Sequence, residues 1–248
     1  MNLFFNKNNS HSERSISWNR DGFEILGSQY YKNKVLNLFD STTLSQWHDA
    51  LEQAFSQGSF DHYSTGNRIR CHINCKIEPD GTLSFGKFKP YMQPLKFNPI
   101  TGGLVREYSE IHSNLLNNGI FLALINEDIQ YASTNSSIDL SKTLIGIHLM
   151  RYAAKLESPA YSSPPWLHKD KEEMVFIHHI NTDDRMIGGD SILAKSELEI
   201  SRVFKLEKHL DSFVMSHRVF HAVSPMGCND EDFAYRDIIL VTFERLAE

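Results

Sequence analysis

Long apolar runs are missing from this chain: nowhere do 18 apolar residues follow one another, which excludes a membrane-spanning helix of ordinary length. Cysteine is scarce. Cys71, Cys75 and Cys228 are too few and too unevenly placed for a disulfide framework. A surplus of basic residues is missing as well. Lys and Arg number 25 against 31 Asp and Glu, and the formal net charge of −6 offers no footprint for nucleic acid and no cationic face for acidic lipid. An anionic ligand would have to be met by a local cluster of Arg or Lys. No segment repeats at a fixed period, so a solenoid is excluded. The stretch from Met1 to Lys7 lacks the apolar core of a signal peptide. These absences set the expectation of a cytoplasmic protein whose partner is a small molecule, with no nucleic acid and no membrane. An apolar sheet surface could support a homodimer, but no stripe in the sequence identifies one.

What is present is an ordinary globular composition, 41% hydrophobic and 23% charged over 248 residues. A chain of this length buries about three-quarters of its unfolded surface and needs no disulfide staples. Residues 1–20, rich in Asn and Ser, read as a loose N-terminal arm. From Thr42 to Phe55 the residues Leu44, Trp47, Leu51 and Phe55 recur at three and four positions, one helical stripe with Ser41 or Thr42 as its N-cap. Arg68–Ile77 alternates as a half-buried strand does, with Cys71 and Cys75 on the core face and His72 opposite. A second helix is expected over 107–117, whereas 120–129 is ambiguous between helix and strand. After Ser141 the chain turns to short β-rich runs at 143–153, 174–181, 191–194, 213–223 and 236–244. Many short strands separated by loop signals argue for an antiparallel barrel or sandwich. The expected fold is mainly β within an α+β class: a double-stranded β-helix, jelly-roll or cupin-like, buttressed by N-terminal helices. The whole of 1–248 reads as one domain, with 143–245 as the core that carries the site.

The chemistry concentrates in that core. His168-Lys169-Asp170 follows two prolines, and in extended backbone residues i and i+2 point to one face, so His168 and Asp170 can converge on an ion. Two imidazoles and a carboxylate on one triangular face leave the opposite positions open, as non-haem iron(II) oxygenases require. His221, 51 residues beyond Asp170 in the run Phe220-His221-Ala222-Val223, supplies the third ligand. His-x-Asp alone is weak, since a chain with 12 histidines can hold one by chance. Cys71-His72-x-x-Cys75 resembles half a zinc knuckle, but no second pair of matching spacing follows. Arg236 strengthens the assignment. It shares a strand face with Ile238, Leu240 and Thr242, which is costly unless an anion answers it. A bidentate bond to a ligand carboxylate would satisfy it; so would solvent at the strand end, or a carboxylate such as Asp237.

These residues, together with Gly188-Gly189-Asp190, Val219–Val223, the run Leu144–Tyr152 and the approach Ser162–His168, resemble the bacterial 2-oxoglutarate/iron(II) dioxygenases that hydroxylate free aliphatic amino acids, the L-isoleucine 4-hydroxylase branch. The similarity covers roughly residues 103–245 and thins upstream to Arg68-x-Arg70 and Gly102-Gly103-x-x-Arg106. It implies Fe(II) held by His168, Asp170 and His221. It also implies 2-oxoglutarate anchored on Arg236, O2 as the oxidant, and succinate and CO2 released as an Ile-, Leu- or Met-like L-amino acid is hydroxylated. Arg151 is the first candidate for the substrate carboxylate, with Arg68, Arg70 and Arg106 in reserve. Trp166 is placed on the pocket wall, and Asp190 is a candidate ammonium partner. Three rival readings stand beside this one: the same chemistry on a modified amino acid, a peptide side chain or another small molecule; a non-catalytic jelly-roll binding module; and a zinc hydrolase, which leaves Arg236 without a role.

Overall fold

The computed structural model describes residues 18, 20–64, 66–162, 164–230 and 232–246. Its α-helices include α1 (Ser28–Lys34), α2 (Ser41–Ser56), α3 (Ser113–Leu116) and α4 (Gly119–Asn135). Thirteen strands follow the chain as β1 (Phe23–Ile25), β2 (Ser59–Phe60), β3 (Arg68–Ile77), β4 (Leu83–Gly86), β5 (Thr143–Ala154), β6 (Met174–Thr182) and β7 (Met186–Gly188), then β8 (Ser191–Ser196), β9 (Glu199–Phe204), β10 (Ser212–Ser216), β11 (Phe220–Val223), β12 (Met226–Cys228) and β13 (Ala234–Arg245). No helix among the described residues is long and apolar enough to cross a membrane.

The expected α2 is present, and its cap lies one residue earlier than expected. Asp40, not Ser41 or Thr42, accepts the Thr43 N–H at 2.8 Å, a contact worth about 0.5–2 kcal/mol. Trp47, Leu51 and Phe55 on its inner stripe are buried. The ambiguous 120–129 run is helical, because Asn118 caps α4 by accepting from the N–H groups of Ile120 and Phe121. The helix expected over 107–117 shrinks to α3. Upstream of it the backbone serves β3 instead, with His72 N–H donating to the Ser109 carbonyl at 2.9 Å. The run 213–223 is two strands: a turn closed by Val219 N–H on the Ser216 carbonyl at 3.1 Å carries the chain from one sheet to the other. The N-terminal arm lies outside the described residues, apart from Trp18 and Arg20; Trp18 is buried edge-on against Tyr131.

The larger sheet has eight strands in the order β1-β10-β6-β13-β5-β3-β2, with β4 on β3, and its neighbours pair antiparallel. Smaller sheets, β11-β8-β9 and β12-β7, complete the double-stranded β-helix. Alternation divides the large sheet between two cores. Cys71, Ile73, Ile145, Ile147, Phe176, Val241 and Phe243 face the helices. Met150, Tyr152, Ile177, Phe213, Met215 and Ile238 face the smaller sheets. Because β3, β5 and β13 pair in register, the inner face carries the row Arg68-Tyr152-Arg236, then Arg70-Met150-Ile238, then His72-His148-Leu240. Rigid strands thus fix the floor of the site.

Candidate active site

The segment before β6 pairs with β11 through His168 and His221, which exchange backbone hydrogen bonds of 3.0 and 2.9 Å. Directly opposed residues on paired strands carry their side chains on one face, and the two rings lie 4.2 Å apart. Each ring turns Nδ1 toward the carbonyl two residues back, His168 to Trp166 at 2.7 Å and His221 to Val219 at 3.5 Å. A carbonyl can only accept, so Nδ1 carries the proton and Nε2 keeps its lone pair. Both Nε2 atoms aim at Asp170, 3.7 Å from His168 and 3.3 Å from His221. All three ligand atoms fall within 4.8 Å of one another, a size and donor set that fit a divalent ion with open positions. Burial, reinforced by the His221 charge, holds His168 down to about 4. Burial opposes ionisation of Asp170, yet the facing His221 brings it to about 2. Burial likewise opposes charge on His221, and Asp170 outweighs it.

Arg236 enters the same cleft from β13, with Ile238, Leu240 and Thr242 beside it on the inner face. It is 3% exposed, and burial presses its pKa down. Its Nη1 donates to the Gly189 carbonyl at 2.5 Å, and its Nε has no partner. Asp237 does not neutralise it. A buried guanidinium with no carboxylate in contact among the described residues fits a co-substrate that brings its own. The Gly188-Gly189 turn brings the Gly189 carbonyl to Arg236. Both residues have positive φ, +76° and +78°, and a Cβ on Gly189 would sit 2.8 Å from Arg236 Nη1.

The sequence of residues 52–242 matches the family model for 2OG-Fe dioxygenases. The chain belongs to that family. Its cofactors are iron(II) and 2-oxoglutarate, with O2 as the oxidant. The chain is 38% identical to a 3(1)-hydroxy-L-isoleucine 4-dioxygenase of Pantoea ananatis (strain AJ13355), over 95% of this chain and 97% of that one. It is 42% identical to an L-isoleucine-4-hydroxylase of Bacillus thuringiensis over 62% of this chain and 64% of the other. Among solved structures, IDO from Bacillus thuringiensis superposes with a TM-score of 0.75 at 28% identity, covering 95% of this chain and 99% of its own. A bsmA homologue from Methylobium petroleophilum PM1 shares the fold at TM-score 0.79 and 17% identity, over 95% and 94% of the two chains.

The dioxygenase cleft measures about 890 Å³ counted out to its open mouth, and it holds His168, Asp170, His221 and Arg236 together. The other two expected substrate residues lie elsewhere. Arg151 follows Met150 on β5, so its side chain leaves by the helix-facing side. There it makes a two-pronged pair with Asp237 at 2.8 and 2.7 Å and lies against Tyr235 and Phe55. Trp166 is 57% exposed and outside the cleft lining; its segment is a bend, where period-two parity does not apply. Arg106 donates to Gln93 and Thr101, keeps an unpartnered Nε and lies outside the cleft lining, and Asp190 accepts from Ser224. In their place the cleft presents Arg68, Arg70, Tyr91 and Glu172. Arg68 is answered by buried Asp61 through Nε at 2.9 Å and Nη2 at 2.5 Å. Glu172, two residues past Asp170, is buried; burial first, then the Asp170 charge, pushes it up to about 7. Alternation along β3 was the signal for Arg70. No sequence pattern marked Glu172, which precedes its strand.

Proposed function

We propose that this dioxygenase hydroxylates a free L-amino acid with an aliphatic, isoleucine-like side chain, and that His168, Asp170 and His221 hold the iron while Arg236 holds 2-oxoglutarate. The observation that carries the residue roles is the joint presence, in one cleft, of a two-imidazole, one-carboxylate cluster and a buried Arg without a carboxylate partner. The relatives named for isoleucine substrates support the substrate class, as does the apolar wall of Met150, Ile177, Phe213, Met215 and Leu240. When bound, iron(II), 2-oxoglutarate and O2 together supply the oxidant for an unactivated C–H bond, with release of succinate and CO2.

The chain's own residues do the rest. His168 and His221 present Nε2 because backbone carbonyls fix their tautomers. Arg236 would hold the distal carboxylate of 2-oxoglutarate. The apolar wall excludes water and holds the side chain so that one C–H bond, among several of similar strength, is presented. We read the chain as one dioxygenase domain, since β13 at the end of the described chain sits between β5 and β6 in mid-sheet. A cytoplasmic location agrees with three free, buried cysteines.

The test is succinate release with iron(II), ascorbate and 2-oxoglutarate across free L-amino acids, including isoleucine, leucine, methionine and a hydroxylated isoleucine. Stimulation by an aliphatic member is the expected result. A response confined to the hydroxylated isoleucine would move the substrate toward that of the Pantoea relative. Turnover that no amino acid stimulates would reject the substrate class and leave the cofactor roles standing.

A further inference from the structure

Arg70 and Glu172 remain unused by the metal and co-substrate roles, and both line the dioxygenase cleft. Arg70 is 4% exposed. Its guanidinium lies 4.4 Å from the centre of the Tyr108 ring and 4.9 Å from that of Tyr91, which holds its plane. Nη1 donates to Tyr108 Oη at 3.3 Å, and Nη2 lies 2.9 Å from His148 Nδ1. Burial and the Arg70 charge keep His148 neutral, so that nitrogen accepts. Nε has no partner. The nearest carboxylate, Asp61, is 3.9 Å from Nη1 and already takes two hydrogen bonds from Arg68. Arg70 is thus a rigid, buried cation with an uncommitted donor and no direct carboxylate partner.

Glu172 is its counterpart in sign. It is 7% exposed and forms no ion pair among the described residues. The adjacent Lys171 points away to Glu244. Asp170, two residues earlier, places Glu172 beside the metal cluster, and the charges of Glu172 and Arg70 both act on the Tyr91 phenol. Arg70 has only a 3.9 Å share of Asp61, and Glu172 has no ion pair among the described residues; a base and an acid so placed in one cleft, each costly to bury charged, suit a ligand that carries both signs.

We propose that Arg70 takes the α-carboxylate and Glu172 the α-ammonium of a zwitterionic amino acid; this rests on the free-amino-acid reading above. Arg68 is excluded from the role by Asp61, and Arg151 by Asp237. A zwitterion satisfies both groups while adding no net charge to the cleft. A carboxylic acid without the amine, or an amine without the acid, leaves one of them buried and unanswered. The clamp is therefore a filter against chemically simpler molecules with the same side chain.

The experiment compares three ligands that share the preferred side chain: the amino acid, its α-hydroxy acid and its α-carboxamide. Apparent KM is measured for wild type, Glu172→Gln, Arg70→Met and Arg70→Lys, with thermal unfolding followed in parallel. In E172Q the preference for amino acid over hydroxy acid is expected to shrink by on the order of tenfold or more, and in R70M the preference for amino acid over carboxamide by the same. R70K keeps a charge and is expected to fall between wild type and R70M. The ratio of ligands is read, so a general loss of folded enzyme does not imitate the effect. Equal weakening of all three ligands, or ratios that hold in E172Q and R70M, overturns the clamp while amino-acid turnover by wild type upholds the reading beneath it. A wild type that answers to no free amino acid overturns that reading, and the clamp with it.

Discussion

At the residue scale the site depends on a few side chains whose roles differ in what they can tolerate. Replacing His221 by Ala removes a proposed metal ligand, and turnover is expected to vanish together with iron binding; a variant that still turns over would displace His221 from the cluster. Arg236→Met removes a charge-assisted hydrogen bond worth about 1.5–3 kcal/mol, which corresponds to a rise of about ten- to a hundredfold in the apparent KM for 2-oxoglutarate. An unaltered KM would put the anchor elsewhere. Gly189→Ala should raise the same KM without touching a ligand, because its Cβ would collide with Arg236 Nη1 and its φ of +78° disfavours a side chain. The positions of His168, Asp170, His221 and Arg236 were legible because spacing and strand parity act locally. Arg151 was misplaced although the same parity was available: Met150 and Tyr152 point inward, so Arg151 cannot. Glu172 was beyond local rules, since its orientation depends on where the chain enters β6.

At the element scale, helix α4 is tied to the sheet by a buried polar network. Asp128 accepts from Tyr31 Oη at 2.6 Å, lies 3.0 Å from His178 Nε2, and His178 Nδ1 lies 2.9 Å from Ser212 Oγ. Ser, His and Asp thus meet in the contact order of a hydrolase triad. The resemblance ends there: His178, Asp128 and Ser212 are 0% exposed, and Ser212 Oγ donates to the Leu210 carbonyl. The network joins α1, α4, β6 and β10, and breaking it strands polar groups in an apolar core. Asp128→Ala is expected to cost about 3–5 kcal/mol, measured as a fall in the urea midpoint at pH 7.5. A loss under about 1 kcal/mol would show that the network is dispensable. The sequence disclosed the helices through capping and stripes, but not this coupling, which joins residues far apart in the chain.

For the whole molecule, the most general consequence of burial is the number of histidines folded in the neutral state. Burial is the first cause in each case: His72 is held down to about 3, His168 and His179 to about 4, and His148 and His209 are also lowered. The unfolded chain takes up these protons near 6.5 and the folded chain does not, so stability must fall as pH drops from about 6.5 toward 4. Glu172, raised to about 7, and Asp237 and His221, also raised, work in the opposite sense, because the fold keeps their protons. Five groups stand against three. Unfolding free energies of the metal-free protein from urea titrations at pH 7 and 5 are expected to differ by more than about 1.4 kcal/mol, the worth of one pKa unit. A flat profile would mean that these imidazoles reach solvent. The fold class was readable from the rhythm of the later strands; the pairing that places β13 between β5 and β6 was not, because period-two patterns do not name partners. That large sheet also separates two histories of mutation. Its helix-facing side chains secure folding, and its inward ones, such as Met150, Phe213 and Leu240, shape the cleft floor. Changes of bulk on the inward side leave the opposite core intact, so this scaffold can drift among related molecules without first losing the ability to fold.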